Sequence, residues 1–136
     1  MIGRPGSFLH TVPAVLYVLA VFYAGTLGHP PLPDVGGLPQ DKIIHFFAFG
    51  LMQIVIYRAV RFELAHIGVD RQLAVAAISA SSVGALLELV QATLPHRDAE
   101  LLDWLADTAG AVLAMLVMRR VLARFNGAQA PARRDT

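Results

Sequence analysis

The chain has 136 residues, of which 56% are hydrophobic and only 15% are charged. Soluble domains use ~45–50% apolar and ~25% charged residues, so this chain has too few charges to cover an apolar surface. The composition therefore predicts an integral membrane protein with one compact domain. A net charge of +1 provides no basic surface for nucleic acid, and the absence of cysteine excludes disulfides, thiolate catalysis and zinc–sulfur sites.

The first apolar segment covers residues 8–28 and contains no Asp, Glu, Lys or Arg. Its length predicts a membrane span. Arg4 ahead of the segment and Ala24-Gly25-Thr26 within it also fit a signal peptide, but a signal peptide has an apolar run of only ~7–15 residues. We therefore favour an uncleaved first span. The prolines and glycines that crowd residues 29–40 predict a loop outside the hydrocarbon.

Three further apolar segments, at residues 43–60, 73–94 and about 101–122, are each long enough to cross a bilayer. The predicted fold is an all-α bundle of four transmembrane helices over residues 1–124, with a disordered cytoplasmic tail at 125–136. Small residues such as Gly84 and Gly110 share a helix face with acids and predict close helix packing.

Lysine and arginine near the ends of the spans predict the orientation. The N-terminus, the second connection and the C-terminus hold most of them, whereas the first and third connections hold only Lys42 and Arg97. Both termini are therefore predicted to lie in the cytoplasm, with the protein in the inner (cytoplasmic) membrane.

Polar residues cluster at the opposite, extracytoplasmic end of the predicted bundle. Asp41, Lys42 and His45 begin the second span, Glu88 and Gln91 end the third, and Arg97, Asp103 and Asp107 follow in or after the turn. An ionisable side chain in the middle of a membrane costs ~2.5–3.5 kcal/mol even on the most lenient scale. The cluster therefore predicts a polar pocket.

The same residues carry a family resemblance. They occur as Asp41-Lys42-Ile43-Ile44-His45, Glu88-Leu89-Val90-Gln91, Pro95-His96-Arg97, and Asp103 and Asp107 with Gly110. Over about residues 39–114 the chain resembles the VanZ-like family, whose pattern is D-K-x-x-H, E-x-x-Q, P-x-R and D-x-x-x-N-x-x-G. Asp107 replaces the usual Asn, which adds a negative charge and a potential ligand.

The resemblance implies a small polytopic membrane protein. Because the family is named for a protein associated with low-level teicoplanin resistance, an envelope or antibiotic-resistance role becomes a hypothesis, without being assigned to this chain. The candidate partners are membrane lipid, a lipid-linked envelope precursor, a glycopeptide and a second copy of the chain.

Each polar residue has a predicted role in recognising or modifying a lipid-linked or envelope molecule. His45 and Glu88 are the candidate catalytic acid and base. Lys42 and Arg97 would hold an anionic headgroup with Asp41 and Gln91. Asp103, Asp107 and Gly110 support the pocket, the two acids by positioning Arg97. No cofactor is the preferred prediction, and the alternative is a divalent metal held by His45, Glu88, Asp103 and Asp107.

Structural explanations compete with these roles. Asp41 is also a plausible N-cap and Lys42 an interfacial anchor, and the buried polar groups are also plausible interhelical hydrogen-bonding residues. An enzyme, a non-catalytic binding protein and a proton-coupled carrier all remain open from the sequence. The lack of acids in the cytoplasmic half of the spans argues against the carrier.

Overall fold

The computed structural model describes residues 6–27 and 40–128. These residues form four α-helices and no strand: α1 (Ser7–Thr26), α2 (Gln40–Glu63), α3 (Val69–Gln91) and α4 (Leu101–Ala128). Each helix has the length and apolar composition needed to cross a membrane. The predicted all-α bundle of four transmembrane helices is confirmed.

The helix ends differ from the predicted spans for local reasons. α3 ends at Gln91 instead of residue 94, and the N–H groups of Thr93 and Leu94 donate to the carbonyls of Val90 and Gln91 at 3.0 and 2.9 Å. These tighter turns precede Pro95, which disfavours helical geometry in the residue before it. The chain therefore leaves the membrane helix sooner than its apolar run suggests.

α4 continues to Ala128, past the predicted end of the span at residue 122. The predicted disordered tail at 125–136 is therefore wrong for residues 125–128. No proline occurs in α4, and the leucine, arginine and alanine residues of its last turns favour the helix. The rest of the predicted tail, and the predicted loop between α1 and α2, lie outside the described residues.

α2 is the central helix and contacts α1, α3 and α4, while α4 also packs along α3. The core between these helices contains Phe49, Met52, Ala80, Leu87 and Ala111. Large apolar side chains such as those of Leu19, Ile78 and Leu89 are exposed on the outside of the bundle. Such an outer surface suits lipid as the solvent, since the backbone polar groups are satisfied inside the helices.

The backbones of α2 and α4 touch where they cross. A Cβ atom at Gly110 would overlap the backbone carbonyl oxygen of Phe46 and lie 2.9 Å from its carbon. A Cβ at Gly50 would lie 3.4 Å from the carbonyl oxygen of Gly110. Small residues allow helices to approach this closely in membranes, and this crossing positions the polar side chains described next.

Candidate functional site

A buried histidine–aspartate pair lies at the crossing of α2 and α4. His45 Nδ1 and Asp107 Oδ1 are 2.9 Å apart, and both side chains are buried. The crossing explains the contact, because His45 directly precedes Phe46 and Asp107 lies three residues before Gly110. The second oxygen, Asp107 Oδ2, faces α3, where a Cβ at Gly84 would lie only 2.6 Å away.

Glu88 lies one helical turn after Gly84 on α3 and joins this pair. Its Oε2 accepts the backbone N–H of Glu100 at 2.8 Å, immediately before α4 begins. A carboxylate there satisfies one of the free N–H groups of the helix N-terminus and interacts favourably with the helix dipole. His45, Glu88 and Asp107 each offer a ligand atom within 4.8 Å of the other two.

Lys42 bridges the start of α2 to the start of α4. Its Nζ donates to Asp103 Oδ1 at 2.6 Å and to Glu100 Oε2 at 2.7 Å. Asp41 Oδ1 lies 3.8 Å from His45 Nε2, on the opposite side of the imidazole from Asp107. Lys42 is thus already bound by two carboxylates. The imidazole of His45 has a carboxylate near each of its two nitrogens.

Gln91 and Arg97 lie at the edge of this cluster. Gln91 is fully buried, and its Nε2 donates to the carbonyl of Gly25 at 2.7 Å, so it joins α3 to α1. Arg97 lies in the loop between α3 and α4. Its side chain is partly buried, and within the described residues its Nε is buried without a hydrogen-bond partner.

The structure thus brings together most of the residues singled out in the sequence. One connected cluster of side chains contains six of them: Asp41, Lys42, His45, Glu88, Asp103 and Asp107. Asp103 and Asp107 bond Lys42 and His45 and not Arg97, while Gly110 provides the close crossing. The sequence did not predict that Glu100 is the second partner of Lys42, or that Gly84 leaves room for the Asp107 carboxylate. Gly84 and Glu88 share a helix face, and this spacing was the signal that could have predicted the role of Gly84.

An apolar groove opens beside the cluster, between the end of α3 and the start of α4. Its volume is about 330 Å³, and it is lined by Ala85, Glu88, Leu89, Ala92, Ala99, Leu101 and Trp104. The Trp104 indole N–H donates to the carbonyl of Ser81 at 3.2 Å, which fixes one wall. Glu88 is the residue that the groove and the His45–Asp107 pair have in common.

The arrangement has two chemical capacities. An imidazole held by a carboxylate on one nitrogen is an oriented acid–base group, as in hydrolase triads. Two carboxylates and an imidazole within a few ångströms are also the donor types that bind divalent metals.

Four apolar helices with buried ionisable groups near one end define a multi-pass membrane protein. The family model described as VanZ/LLP1 matches residues 6–123, which is most of the chain. The chain belongs to the VanZ/LLP1 family, and the resemblance seen in the motifs is confirmed. No curated protein and no solved structure matches it.

Proposed function

We propose that this protein binds a lipid-linked molecule of the cell envelope, with a phosphate-type headgroup, at the extracytoplasmic ends of α3 and α4. The observation that carries the proposal is the position of Arg97 in the loop whose residues Ala92 and Ala99 line the apolar groove. A cation that has no ion pair among the described residues, in a loop that lines an apolar groove, is complementary to an anion on a long apolar chain.

Arg97 is the preferred headgroup ligand. In the described part of the chain, no carboxylate lies within ion-pair distance of its guanidinium, whereas Lys42 is held by Asp103 and Glu100. An arginine can bind phosphate oxygens through two parallel hydrogen bonds, which a lysine cannot. Lys42 and Arg97 were both predicted to hold a headgroup, and we therefore expect Lys42 to contribute less to headgroup binding than Arg97.

The groove suits part of an apolar chain. Its volume of about 330 Å³ falls at the lower end of the ~300–1,000 Å³ typical of ligand pockets. Because it opens towards the outside of the bundle, a lipid could enter sideways from the bilayer. Glu88 borders the groove, so a reaction on the bound molecule would use Glu88 and His45 as acid and base.

The proposed orientation puts this end of the bundle at the outer face of the inner membrane. Arg58 and Arg61 near the end of α2, Arg71 at the start of α3, and Arg119 near the end of α4 lie at the opposite end. An ion pair of 2.9 Å between Arg119 and Asp70 joins two of these helix ends. Basic residues favour the cytoplasmic side, which supports cytoplasmic termini.

A structural role is the second candidate, since several polar contacts each join two helices. Lys42–Asp103 joins α2 to α4, and Gln91–Gly25 joins α3 to α1. Hydrogen bonds of this kind are worth ~0.6–2 kcal/mol in membranes. Under this candidate the polar residues hold the bundle together, and Arg97 needs no ligand.

Lipid binding can be tested with the full-length protein in nanodiscs. A polyprenyl phosphate and the matching polyprenol are added separately, and the retained lipid is measured by native mass spectrometry. We expect retention of the phosphate form, weaker retention by Arg97→Lys, loss in Arg97→Gln, and loss in Ala85→Phe, which fills the groove.

Arg119→Gln is the matched control, because it removes an arginine from the other end of the bundle. It should bind like the wild type. Equal retention of the phosphate and the alcohol, or unchanged binding by Arg97→Gln, would reject the proposal and favour the structural role.

A further inference from the structure

We infer that His45, Glu88 and Asp107 form a binding site for a divalent cation of the Zn²⁺ or Mn²⁺ class inside the helix bundle. The three residues come from α2, α3 and α4, so the cation would tie together the three helices that surround it. This inference does not depend on lipid binding, because none of its ligands is needed to hold a headgroup. It replaces the acid–base role given above to Glu88 and His45, since a bound metal would occupy their lone pairs.

Two buried carboxylate oxygens carry the inference. Asp107 is 0% and Glu88 only 9% exposed, yet among residues 6–27 and 40–128 neither Asp107 Oδ2 nor Glu88 Oε1 has a hydrogen-bond partner. Oδ2 faces α3 at Gly84, one turn before Glu88. Buried carboxylate oxygens normally have partners, since desolvating them without one is costly. A cation would satisfy both oxygens at once.

The charges of the group point the same way. If the imidazole is neutral and both carboxyl groups are ionised, Glu88 and Asp107 together carry two negative charges while buried. Lys42, the single lysine of the chain, bonds Asp103 and Glu100 instead. A divalent cation would make the three-residue group neutral, and buried charges are normally paired or bound to a metal.

The donor atoms fit in kind and in spacing. They lie within 4.8 Å of one another, and tetrahedral ligands at ~2.0–2.2 Å from one zinc ion are ~3.3–3.6 Å apart. Side-chain adjustments of up to about 1 Å would therefore complete the site. The 2.9 Å between His45 Nδ1 and Asp107 Oδ1 suits neighbouring ligands on one ion.

The outer surroundings of the imidazole also suit a metal ligand. Metal-bound histidines usually donate their second N–H to a carboxylate, which fixes the tautomer. Asp41 Oδ1, 3.8 Å from His45 Nε2, is in position to approach as that acceptor. Three protein ligands leave a coordination position open, which is typical of catalytic zinc sites.

The test uses the full-length protein in nanodiscs, stripped with a chelator and then dialysed against Zn²⁺, Mn²⁺ or Mg²⁺ separately. Bound metal is counted by mass spectrometry of the digested protein, and the Tm is followed as the metal concentration rises. We expect stoichiometric Zn²⁺ or Mn²⁺ and a Tm that increases to a plateau.

Variants identify the ligands. Glu88→Gln and Asp107→Asn should weaken metal binding by at least ~10-fold, whereas Glu100→Gln, which alters a neighbouring carboxylate outside the site, should bind like the wild type. Asp107→Asn creates the residue usual in the VanZ-like pattern, so the fold should tolerate it. His45→Gln provides a third ligand variant if either of the others fails to fold.

A wild-type protein that binds no stoichiometric Zn²⁺ or Mn²⁺ would overturn the inference. Equal metal binding by Glu88→Gln, Asp107→Asn and the wild type would overturn it as well. Polyprenyl phosphate retention in the same nanodiscs, measured with and without chelator, separates failure of this site from failure of lipid binding.

Discussion

Replacing Gly110 by alanine tests whether the close crossing of α2 and α4 holds the polar cluster together. The new methyl group would overlap the Phe46 carbonyl oxygen and lie 2.9 Å from the carbonyl carbon. Since carbon atoms in contact are ~3.5–4.0 Å apart, the carbonyl carbon alone requires the backbones to separate by roughly 0.6–1.1 Å, and the overlapped oxygen requires a larger shift. The clashing atoms belong to a helix backbone, so they cannot rotate away as a side chain would.

This separation acts directly on the His45–Asp107 contact. A distance of 2.9 Å would become at least roughly 3.5–4.0 Å, past the ~3.2 Å limit of a good N–H···O hydrogen bond. Overpacking costs ~1–3 kcal/mol, and losing one interhelical hydrogen bond in a membrane costs ~0.6–1.7 kcal/mol. Together these effects destabilise the bundle by roughly 2–5 kcal/mol.

Gly50→Ala is the matched control. It lies on the same interface, but its methyl group would meet the Gly110 carbonyl oxygen at an ordinary 3.4 Å. Both substitutions gain the ~0.8–1.0 kcal/mol by which alanine exceeds glycine in helix propensity, so this gain cancels in the comparison. The difference between the two variants therefore reports the clash and its effect on the polar pair.

The free energy of unfolding can be measured in mixed micelles with an increasing fraction of SDS. Trp104 is the single tryptophan of the chain and bonds α3 through Ser81, so its fluorescence reports the packing of α4. Circular dichroism checks that the helices persist. If Gly110→Ala unfolds at the same SDS fraction as Gly50→Ala, the crossing does not hold the cluster and the geometric argument fails.

Three other predictions concern Glu88, Lys42 and the membrane topology. Glu88→Gln should weaken metal binding by at least ~10-fold while changing the stability of the metal-free protein by less than ~1 kcal/mol, because a glutamine oxygen still accepts the Glu100 N–H; a collapse in expression would refute this. Lys42→Met should destabilise the bundle by ~1–3 kcal/mol, since buried Asp103 loses its cation, whereas the exposed pair disrupted by Arg119→Gln should cost less than ~1 kcal/mol. A phosphatase fused after Thr136 should be inactive and a fluorescent protein there should fluoresce; active phosphatase would reverse the topology.

The number and kind of the membrane helices followed from the sequence alone. A helix that crosses a bilayer needs ~20 predominantly apolar residues. Four such runs, separated by polar or proline- and glycine-rich segments, are visible in the sequence. The order of the motifs around His45, Glu88 and Asp103 was also sufficient for the family resemblance. These features are local, so they do not depend on how the helices pack.

The pairing of the polar residues was decided by the tertiary structure. Spacing put Glu88 and Asp107 near the same end of the bundle, but it could not tell that Oε2 of Glu88 would accept the Glu100 N–H or that Lys42 would bond Glu100. These contacts depend on the rotation of each helix about its axis and on how closely the axes approach.

Both quantities depend on backbone contacts between residues far apart in the chain. α2 and α4 approach until the Gly110 backbone meets Phe46, and Gly84 leaves the space that Asp107 Oδ2 occupies. The spacing of residues along one helix specifies which of them share a face, but not which face meets which neighbour. The buried group of His45, Glu88 and Asp107, in which two oxygens have no partner within the described part of the chain, is therefore a product of helix packing.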